Sequence, residues 1–363
     1  MAHTHSELTT SESMRKIGFL ASEQLMNPRF ANTGHEGRGG EDAGLAADAQ
    51  SGASEHESVE VAILMCTYNG AAFLQDQLES FASQSHTRWT LYVSDDASTD
   101  ATRQMLADYQ QRWGESRIKV FDGPCQGFAK NFISLLKRPE VQGRFYAFSD
   151  QDDVWFKDKL ERSVACLVTL SASRPALYCS RTRLVDISRN AAGFSPLFSR
   201  PPSFRNALVQ SLAGANTMLI NQAARDVLMQ LPEDAHIVAH DWLAYMLVTA
   251  CGGDAVYDAR PSLEYRQHGN NLIGGNNRLV DRLSRLRKML SGRFVEWNDA
   301  NLRILQAMQP LLTQENRTVL EHFANGRRSG FAARLCEFRR SGVYRQTFVG
   351  NITLIIAALL ARI

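Results

Sequence analysis

Residues 148–155 read Phe-Ser-Asp-Gln-Asp-Asp-Val-Trp, and the rest of the fold can be worked out from this stretch. Its three carboxylates directly follow the apolar run at 145–148, which is typical of the end of a buried strand. Carboxylates this close raise each other's pKa unless a cation lies among them. Oxygen ligands at this density suit Mg²⁺ or Mn²⁺, with room for substrate phosphates. The alternative is a solvated acidic turn that caps a helix beginning near Val154.

The composition restricts the class of protein. A chain of 363 residues predicts two domains, or one large domain with extensions. The net charge of +2 gives no general attraction to nucleic acid, so we expect no nucleic-acid partner. The six cysteines are scattered, without the close pairs of a zinc site or redox motif, and they indicate a reducing compartment. No secretory signal pattern precedes the first apolar segment, so a cytoplasmic location is expected.

Residues 1–57 are rich in small and polar residues and are predicted to be largely disordered. From residue 58 onward, strand-like and helix-like segments alternate, which predicts an α/β fold with a mostly parallel sheet flanked by helices. Strands are expected at 59–66, 89–94, 118–121 and 144–148, and helices at 71–84, around 105–113 and at 128–136.

Polar residues follow three of these strands, at 67–69, 95–100 and 150–153. Ligands bind at the carboxyl ends of parallel strands, where the connecting loops meet. We therefore expect the three loops to share one rim and to form a binding site. Simpler alternatives remain for single residues, since Asp96 and Ser98 could cap the following helix and Thr67 could be an ordinary turn residue.

The three loops read Cys-Thr-Tyr-Asn-Gly at 66–70, Asp-Asp-Ala-Ser-Thr-Asp at 95–100 and Ser-Asp-Gln-Asp-Asp-Val-Trp at 149–155. In this order they resemble the successive signatures of family 2 glycosyltransferases with the GT-A fold, and the last is similar to the rhamnosyltransferase-like branch. No Walker loop or dinucleotide fingerprint competes with this pattern. The resemblance covers roughly residues 59–275. It implies a Rossmann-like GT-A domain over 58–277, with a nucleotide-sugar half at 58–155 and an acceptor half at 156–277.

The resemblance also implies roles for single residues of the donor half. Asp150 would lie near the ribose and the metal, and Asp152 would bind the Mg²⁺ or Mn²⁺ ion that bridges the diphosphate. Lys130 stands where the family often carries a basic residue near the nucleotide, although a solvated helix lysine is the alternative. The residues implied to contact the base and ribose are Thr67, Tyr68 and either Asp95 or Asp96.

In the second half, Asp241 directly precedes the apolar segment 243–250. An Asp at a helix start is usually a cap. The resemblance instead implies a general base that takes the proton of the acceptor hydroxyl, with inversion at the anomeric carbon. His268 lies in a polar turn, where a surface position is the alternative and the resemblance implies contact with metal or diphosphate. The Asn- and Gly-rich segment 269–277 could form a lid over the donor.

Residues 278–363 are predicted to be a basic helical extension. It ends in the apolar run 348–360, which is too short to span a bilayer at about 20 residues. Basic residues beside a short apolar helix favour peripheral contact with a membrane. The alternative is a helix packed on the protein's own core or on a partner subunit. The sequence sets no oligomeric state.

The resulting prediction is a hexosyltransferase that moves rhamnose from dTDP-rhamnose, or a sugar from a UDP-sugar, onto a lipid-linked or growing bacterial surface polysaccharide. It would act in the cytoplasm at the inner face of the plasma membrane. One alternative is a nucleotidyltransferase on a related α/β sheet, which would consume NTP and sugar 1-phosphate. Another is a catalytically inactive scaffold for glycan assembly, which would bind without turnover.

Overall fold

The structure is a computed structural model that describes residues 59–267 and 293–363. Within these residues, nine strands form one sheet. The strands are β1 (Val61–Thr67), β2 (Trp89–Asp95), β3 (Ile118–Asp122), β4 (Phe145–Ser149), β5 (Val154–Trp155), β6 (Ala176–Val185), β7 (Ala191–Phe194), β8 (Leu219–Asn221) and β9 (Asp254–Arg266).

Helices flank the sheet and form the C-terminal part of the described chain. They are α1 (Ala71–Ala82), α2 (Thr102–Trp113), α3 (Phe128–Lys137), α4 (Lys159–Val168), α5 (Phe204–Ala207), α6 (Gln222–Met229), α7 (His240–Ala250), α8 (Arg293–Ala307), α9 (Gln314–Arg328), α10 (Phe331–Ser341) and α11 (Phe348–Leu359).

The strand order is β3-β2-β1-β4-β8-β6-β9-β5, with β7 paired to β6. Strands β1 to β4 pair with one another in parallel, as the βα alternation predicts. The sheet as a whole is mixed, because β8 runs antiparallel to both β4 and β6. The short connection at 186–190 makes β6 and β7 an antiparallel hairpin, while β9 returns parallel to β6.

The alternative in which the aspartates cap a helix beginning near Val154 is wrong. Val154 and Trp155 form β5, which pairs with Glu264 and Leu263 of β9, and α4 begins only at Lys159. The acidic loop at 150–153 is therefore held between two strands, and its aspartates do not cap a helix.

Alternation along the strands separates two apolar layers. In β1, Val61, Ile63 and Met65 pack with α1, α2 and α4, whereas Ala62 and Leu64 face α3, α6 and α7. Successive side chains of a strand point to opposite faces of the sheet, so a strand buried on both faces reads as a continuous apolar run. The loops at the strand ends thus stand on a rigid base.

The C-terminal helices belong to the second of these layers. Phe294 of α8, Leu320 of α9, Phe338 of α10 and Leu354 of α11 lie in the same buried cluster as Trp242 of α7. Within 59–267 and 293–363, no helix is both long and apolar enough to cross a membrane. Four of the predictions concern residues outside those that the structure describes: the disordered segment 1–57, the ligand His268, the lid at 269–277 and the basic run at 278–288.

Candidate active site

The carboxyl ends of β1, β2 and β4 meet at one rim, which confirms that prediction. Thr67 pairs in register with Asp95, and Met65 pairs with Ser149, so the loops after the three strands begin side by side. The structure therefore brings together the polar segments 67–69, 95–100 and 150–153. Strand register sets where the three loops begin.

Asp95 is fully buried and shapes the loop after β2. Its carboxylate accepts hydrogen bonds from Thr67 Oγ1 (2.8 Å), Ser98 Oγ (2.6 Å) and Arg103 Nε (2.7 Å). Burial alone would raise the pKa of this carboxyl, but these bonds together hold the pKa below its usual value. Asp95 is therefore an ionised anchor whose oxygen atoms already have protein donors.

Asp96 and Ser98 do not cap α2, so that alternative is wrong. The residue before the helix is Ala101, which makes no side-chain cap. Asp96 instead accepts a hydrogen bond from the backbone N–H of Cys125 at 2.6 Å, which ties the loop after β2 to the loop after β3. Ser98 accepts from the backbone N–H of Asn69 at 2.8 Å, which ties it to the loop after β1.

Gln151 holds the acidic loop against Tyr68. Its amide accepts from the Tyr68 N–H at 2.9 Å and donates to the Tyr68 carbonyl at 3.1 Å. This two-point bond explains the small residue at Gly70, where an added Cβ would lie 2.2 Å from the Gln151 oxygen. The backbone on which Tyr68 stands is thus fixed relative to Asp150 and Asp152.

Asp150 and Asp152 form the acidic centre of the rim. Burial raises the pKa of Asp150, and the nearby carboxylates of Asp152 and Asp241 raise it further. Burial also raises the pKa of the Cys66 thiol, with Asp96 and Asp150 adding to the effect. Because its pKa is raised to about 8, Asp150 keeps its proton over much of the neutral range unless a cation lies beside it.

Asp153 points away from this centre and into the protein. It accepts from Asn216 Nδ2 at 2.5 Å, and its own N–H donates to Gln77 Oε1 at 3.1 Å. Arg266, at the end of β9, donates to the carbonyl of Asp152 at 3.1 Å and to the Asp76 carboxylate at 2.6 Å. These contacts fix the exit of the acidic loop, so Asp153 and Arg266 support the loop from below.

Asp241 lies in the first turn of α7, after the cap position Ala239. It is only 5% exposed, and burial raises its pKa to about 7. Backbone N–H groups of the helix start and Ser211 Oγ, at 3.5 Å, donate to its carboxylate. A carboxyl with this pKa can accept a proton near neutral pH and pass it on, which is what general-base chemistry needs.

His240 seats the start of α7 among aromatic rings. Its ring stacks on Phe132 with centroids 4.0 Å apart, and Phe128 and Phe148 contact its edges. Burial lowers the pKa of His240 to about 3, so the imidazole is neutral and does not supply a charge beside Asp241. Its role is to pack α7 against α3 and β4.

A segment connecting α10 and α11 contacts the residues just before Ser211. We call residues 344–346 the strap. Arg345 donates to the carbonyl of Val209 at 3.2 Å, and the Gln346 N–H donates to the Gln210 side chain at 2.9 Å. Because Ser211 follows directly and contacts Asp241, the C-terminal helices help to position the acidic side chain of α7.

The other expected nucleotide contacts lie at or just after the end of β1 and in α3. Thr67 is buried against Asp95, and Tyr68 is half-buried at the rim. Lys130 is half-buried in the first turn of α3, beside Asn131, whose amide donates to the Ser94 carbonyl at 3.2 Å. These positions border the loop after β2. His268, the other expected ligand, lies outside the described residues.

Sequence reasoning missed four supporting residues. Gln151 stands inside a motif that carries the family resemblance, and Arg266 lies two residues before His268, so both positions could have been singled out. Ser211 and Gln346 carry no local signal, because their importance comes only from packing between segments far apart in the chain.

Two carboxylates, from Asp150 and Asp152, are the candidate ligands for a divalent cation. Within 59–267 and 293–363, no group of three or more His, Cys, Asp or Glu side chains has the geometry of a metal site. The donor set nevertheless fits Mg²⁺ or Mn²⁺, since such ions are commonly held by one or two carboxylates and completed by substrate phosphates and water. The mutual repulsion that raises the pKa of Asp150 is what a cation would relieve.

Comparison with known proteins agrees with this architecture. Residues 62–192 match the model of the family described as glycosyl transferase family 2. The dTDP-rhamnosyl transferase RfbG of Shigella flexneri is 31% identical over 225 residues, which are 58% of this chain and 74% of that protein. The putative teichuronic acid biosynthesis glycosyltransferase TuaG of Bacillus subtilis is 28% identical, over 60% of this chain and 82% of that protein.

Among solved structures, residues 1–349 of TarS from S. aureus align with 78% of this chain and 89% of that chain, at 17% identity and a TM-score of 0.46. The relationship to RfbG covers most of that protein, and the family model matches the rim that carries Asp95, Asp150 and Asp152. The chain therefore belongs to glycosyl transferase family 2 and is a glycosyltransferase with the GT-A fold.

Proposed function

We propose that this enzyme transfers rhamnose from dTDP-rhamnose, with inversion and with the help of a divalent cation, onto a lipid-linked or growing cell-surface polysaccharide. The observation that carries the proposal is the buried carboxyl of Asp241, which lies close enough to the acidic rim to raise the pKa of Asp150. A candidate base thus lies near a candidate site for the leaving diphosphate.

In this reaction, Asp241 takes the proton of the acceptor hydroxyl as that oxygen attacks the anomeric carbon. Single displacement at that carbon inverts it and requires no nucleophilic Ser or Cys. Thr67, Tyr68, Asp95, Asp96 and Lys130 border the nucleotide, and the fixed loops hold the donor in line with the acceptor.

Asp150 and Asp152 would hold the cation, and His268 is proposed as a further ligand or diphosphate contact. When bound, the cation offsets the negative charge that develops on the departing diphosphate. The chain's own part is to keep these two carboxylates in place, through Gln151 on one side and Arg266 on the other.

The donor and acceptor are supported by the names of relatives. RfbG is named a dTDP-rhamnosyl transferase. WfgD of Escherichia coli, 33% identical over 109 residues, which are 30% of this chain and 41% of that protein, is named for transfer to a diphosphoundecaprenol-linked sugar. A lipid-linked acceptor would place this enzyme in the cytoplasm, at the inner face of the plasma membrane.

The test is transfer itself. Purified enzyme is incubated with dTDP-rhamnose, or with UDP-sugars, and a diphosphoundecaprenol-linked sugar, with Mn²⁺ or with EDTA, and the product is identified by mass. We expect the acceptor to gain the mass of one rhamnose in the presence of Mn²⁺. With EDTA we expect no gain in mass. Transfer only from a UDP-sugar would refute the donor, and full activity in EDTA would refute the cation. Nucleotide binding without any transfer would instead support a scaffold.

The metal site is tested separately through binding. We expect dTDP with Mn²⁺ to raise the melting temperature of the wild type but not that of Asp152→Asn. Asp108→Asn, an exposed change on α2 away from the rim, is the control and should keep the full effect. Equal stabilisation of the wild type and Asp152→Asn would show that Asp152 does not bind the cation.

A further inference from the structure

The outward face of α11 is apolar. Six apolar side chains of this helix are at least 37% exposed, and the first of them is 79% exposed: Phe348, Val349, Ile352, Ile355, Ile356 and Leu359. This spacing of one, three and four residues marks a single helix face. A helix that faces water normally carries polar residues there, so α11 has the reverse of the expected pattern.

The inward face of α11 is packed, so its orientation is fixed. Leu354 and Ala357 are buried in the cluster shared with α7, and Gly350 is buried as well. Arg327 donates to the carbonyl of Ile363 at 2.8 Å and so attaches the chain end to α9. The exposed apolar face is therefore a property of a docked helix.

Helix α10 enlarges this surface. It packs against α11 and exposes Phe331 (61%) and Leu335 (37%), which are four residues apart and share one helix face. We call these two residues and the six exposed residues of α11 the docking face. Several large apolar side chains exposed on two packed helices are unusual in a monomeric soluble protein and indicate an interaction site.

The charges around the docking face are positive. Residues 331–363 contain five arginines and one acidic residue, Glu337. Arg339 and Arg362 are exposed, and the exposed Arg340 pairs with Glu337, which also contacts His322. A second copy of the same face would bring these arginines against one another. An anionic lipid surface would instead attract them while accepting the apolar side chains.

We propose that α10 and α11 dock the enzyme on an anionic lipid bilayer, with α11 lying in the plane of the interface. Helix α11 has 12 residues, which suits an interfacial helix and not a span. A single residue separates α11 from the strap, which contacts the segment before Ser211. Docking of α11 would therefore bring the acceptor side of the molecule to the membrane. This deepens the proposed function by giving the lipid-linked acceptor a route to the base.

The test measures vesicle binding by the full chain, without donor or acceptor, so its result does not depend on the proposed reaction. Vesicles of phosphatidylcholine alone are compared with an equimolar mixture of phosphatidylcholine and phosphatidylglycerol by co-sedimentation. We expect strong binding only to the mixture, weakened by salt. Ile355→Glu should lower the partition coefficient by about tenfold or more, since it removes apolar burial and adds like charge. Arg339→Ser with Arg340→Ser should lower it about tenfold and reduce the dependence on salt.

The matched control is Leu197→Glu, because Leu197 is 57% exposed and Ile355 is 58% exposed, but Leu197 lies outside the docking face. This control should bind vesicles as the wild type does. Failure of the wild type to bind the anionic vesicles, or equal binding by Ile355→Glu, would overturn the proposal. A dimer in solution that Ile355→Glu dissociates, with no vesicle binding, would show that a second copy covers the face.

Discussion

Replacing Asp241 by Asn should greatly slow transfer and at the same time stabilise the protein at alkaline pH. The side chain is 5% exposed, and burial raises its pKa from the ordinary 3.8 to about 7. At 1.36 kcal/mol for each pKa unit, holding this group ionised costs the folded protein roughly 4 kcal/mol. Asn has the same shape and carries no charge, so it avoids that cost.

The sign of the pH dependence follows from the proton. The folded protein binds the Asp241 proton more tightly than the unfolded chain does, so stability falls as pH rises from about 4 to about 7. At about pH 8 the variant should gain up to roughly 4 kcal/mol, or on the order of 5–10 °C in Tm. At about pH 4 both side chains are neutral, and the two proteins should melt alike.

Activity should change in the opposite direction. Loss of a general base lowers kcat by roughly 10²- to 10⁴-fold, and kcat of the wild type should rise with pH through about 7. Asp234→Asn, an exposed change in the loop before α7, is the control and should alter neither Tm nor kcat. A variant at Asp241 that keeps half of the wild-type rate would refute its role as base. A variant that is inactive but no more stable at about pH 8 would refute the assignment of a buried carboxyl with a raised pKa.

Two further predictions concern residues that position the site. Gln151→Leu removes both hydrogen bonds to the Tyr68 backbone. It should lower the free energy of unfolding in urea by about 1–3 kcal/mol and raise the KM for the donor. An unchanged KM would show that these bonds do not position the donor loop. Gln346→Leu removes the side-chain hydrogen bonds of the strap to Arg200 and Asn206, leaves the backbone bond to Gln210, and should lower kcat roughly tenfold while leaving nucleotide binding intact. Gln314→Leu, an exposed change at the start of α9, is its control, and equal rates for the two variants would contradict the role of the strap.

The sequence predicted the donor half in detail because its signals are local. Each of β1, β2 and β4 is a short apolar run followed at once by polar residues, and alternating strands and helices force those ends to one side of a parallel sheet. The likeness to family 2 glycosyltransferases added the expectation that Asp241 belongs to the same site. The alternative of a helix beginning near Val154 failed because these residues pair with a strand more than 100 residues away.

The sequence by itself determined the α/β class, the shared rim and the candidate carboxylates, because these depend on residue type and on periods of two to four residues. Only the tertiary structure decided which aspartates of the acidic loop stay at the rim. Asp153 turns inward to Asn216, whereas Asp150 and Asp152 remain at the rim. It also decided that the C-terminal helices support Asp241 through the strap and present an apolar face on α11. Burial and pKa depend on neighbours that are distant in the chain, and no local pattern encodes them.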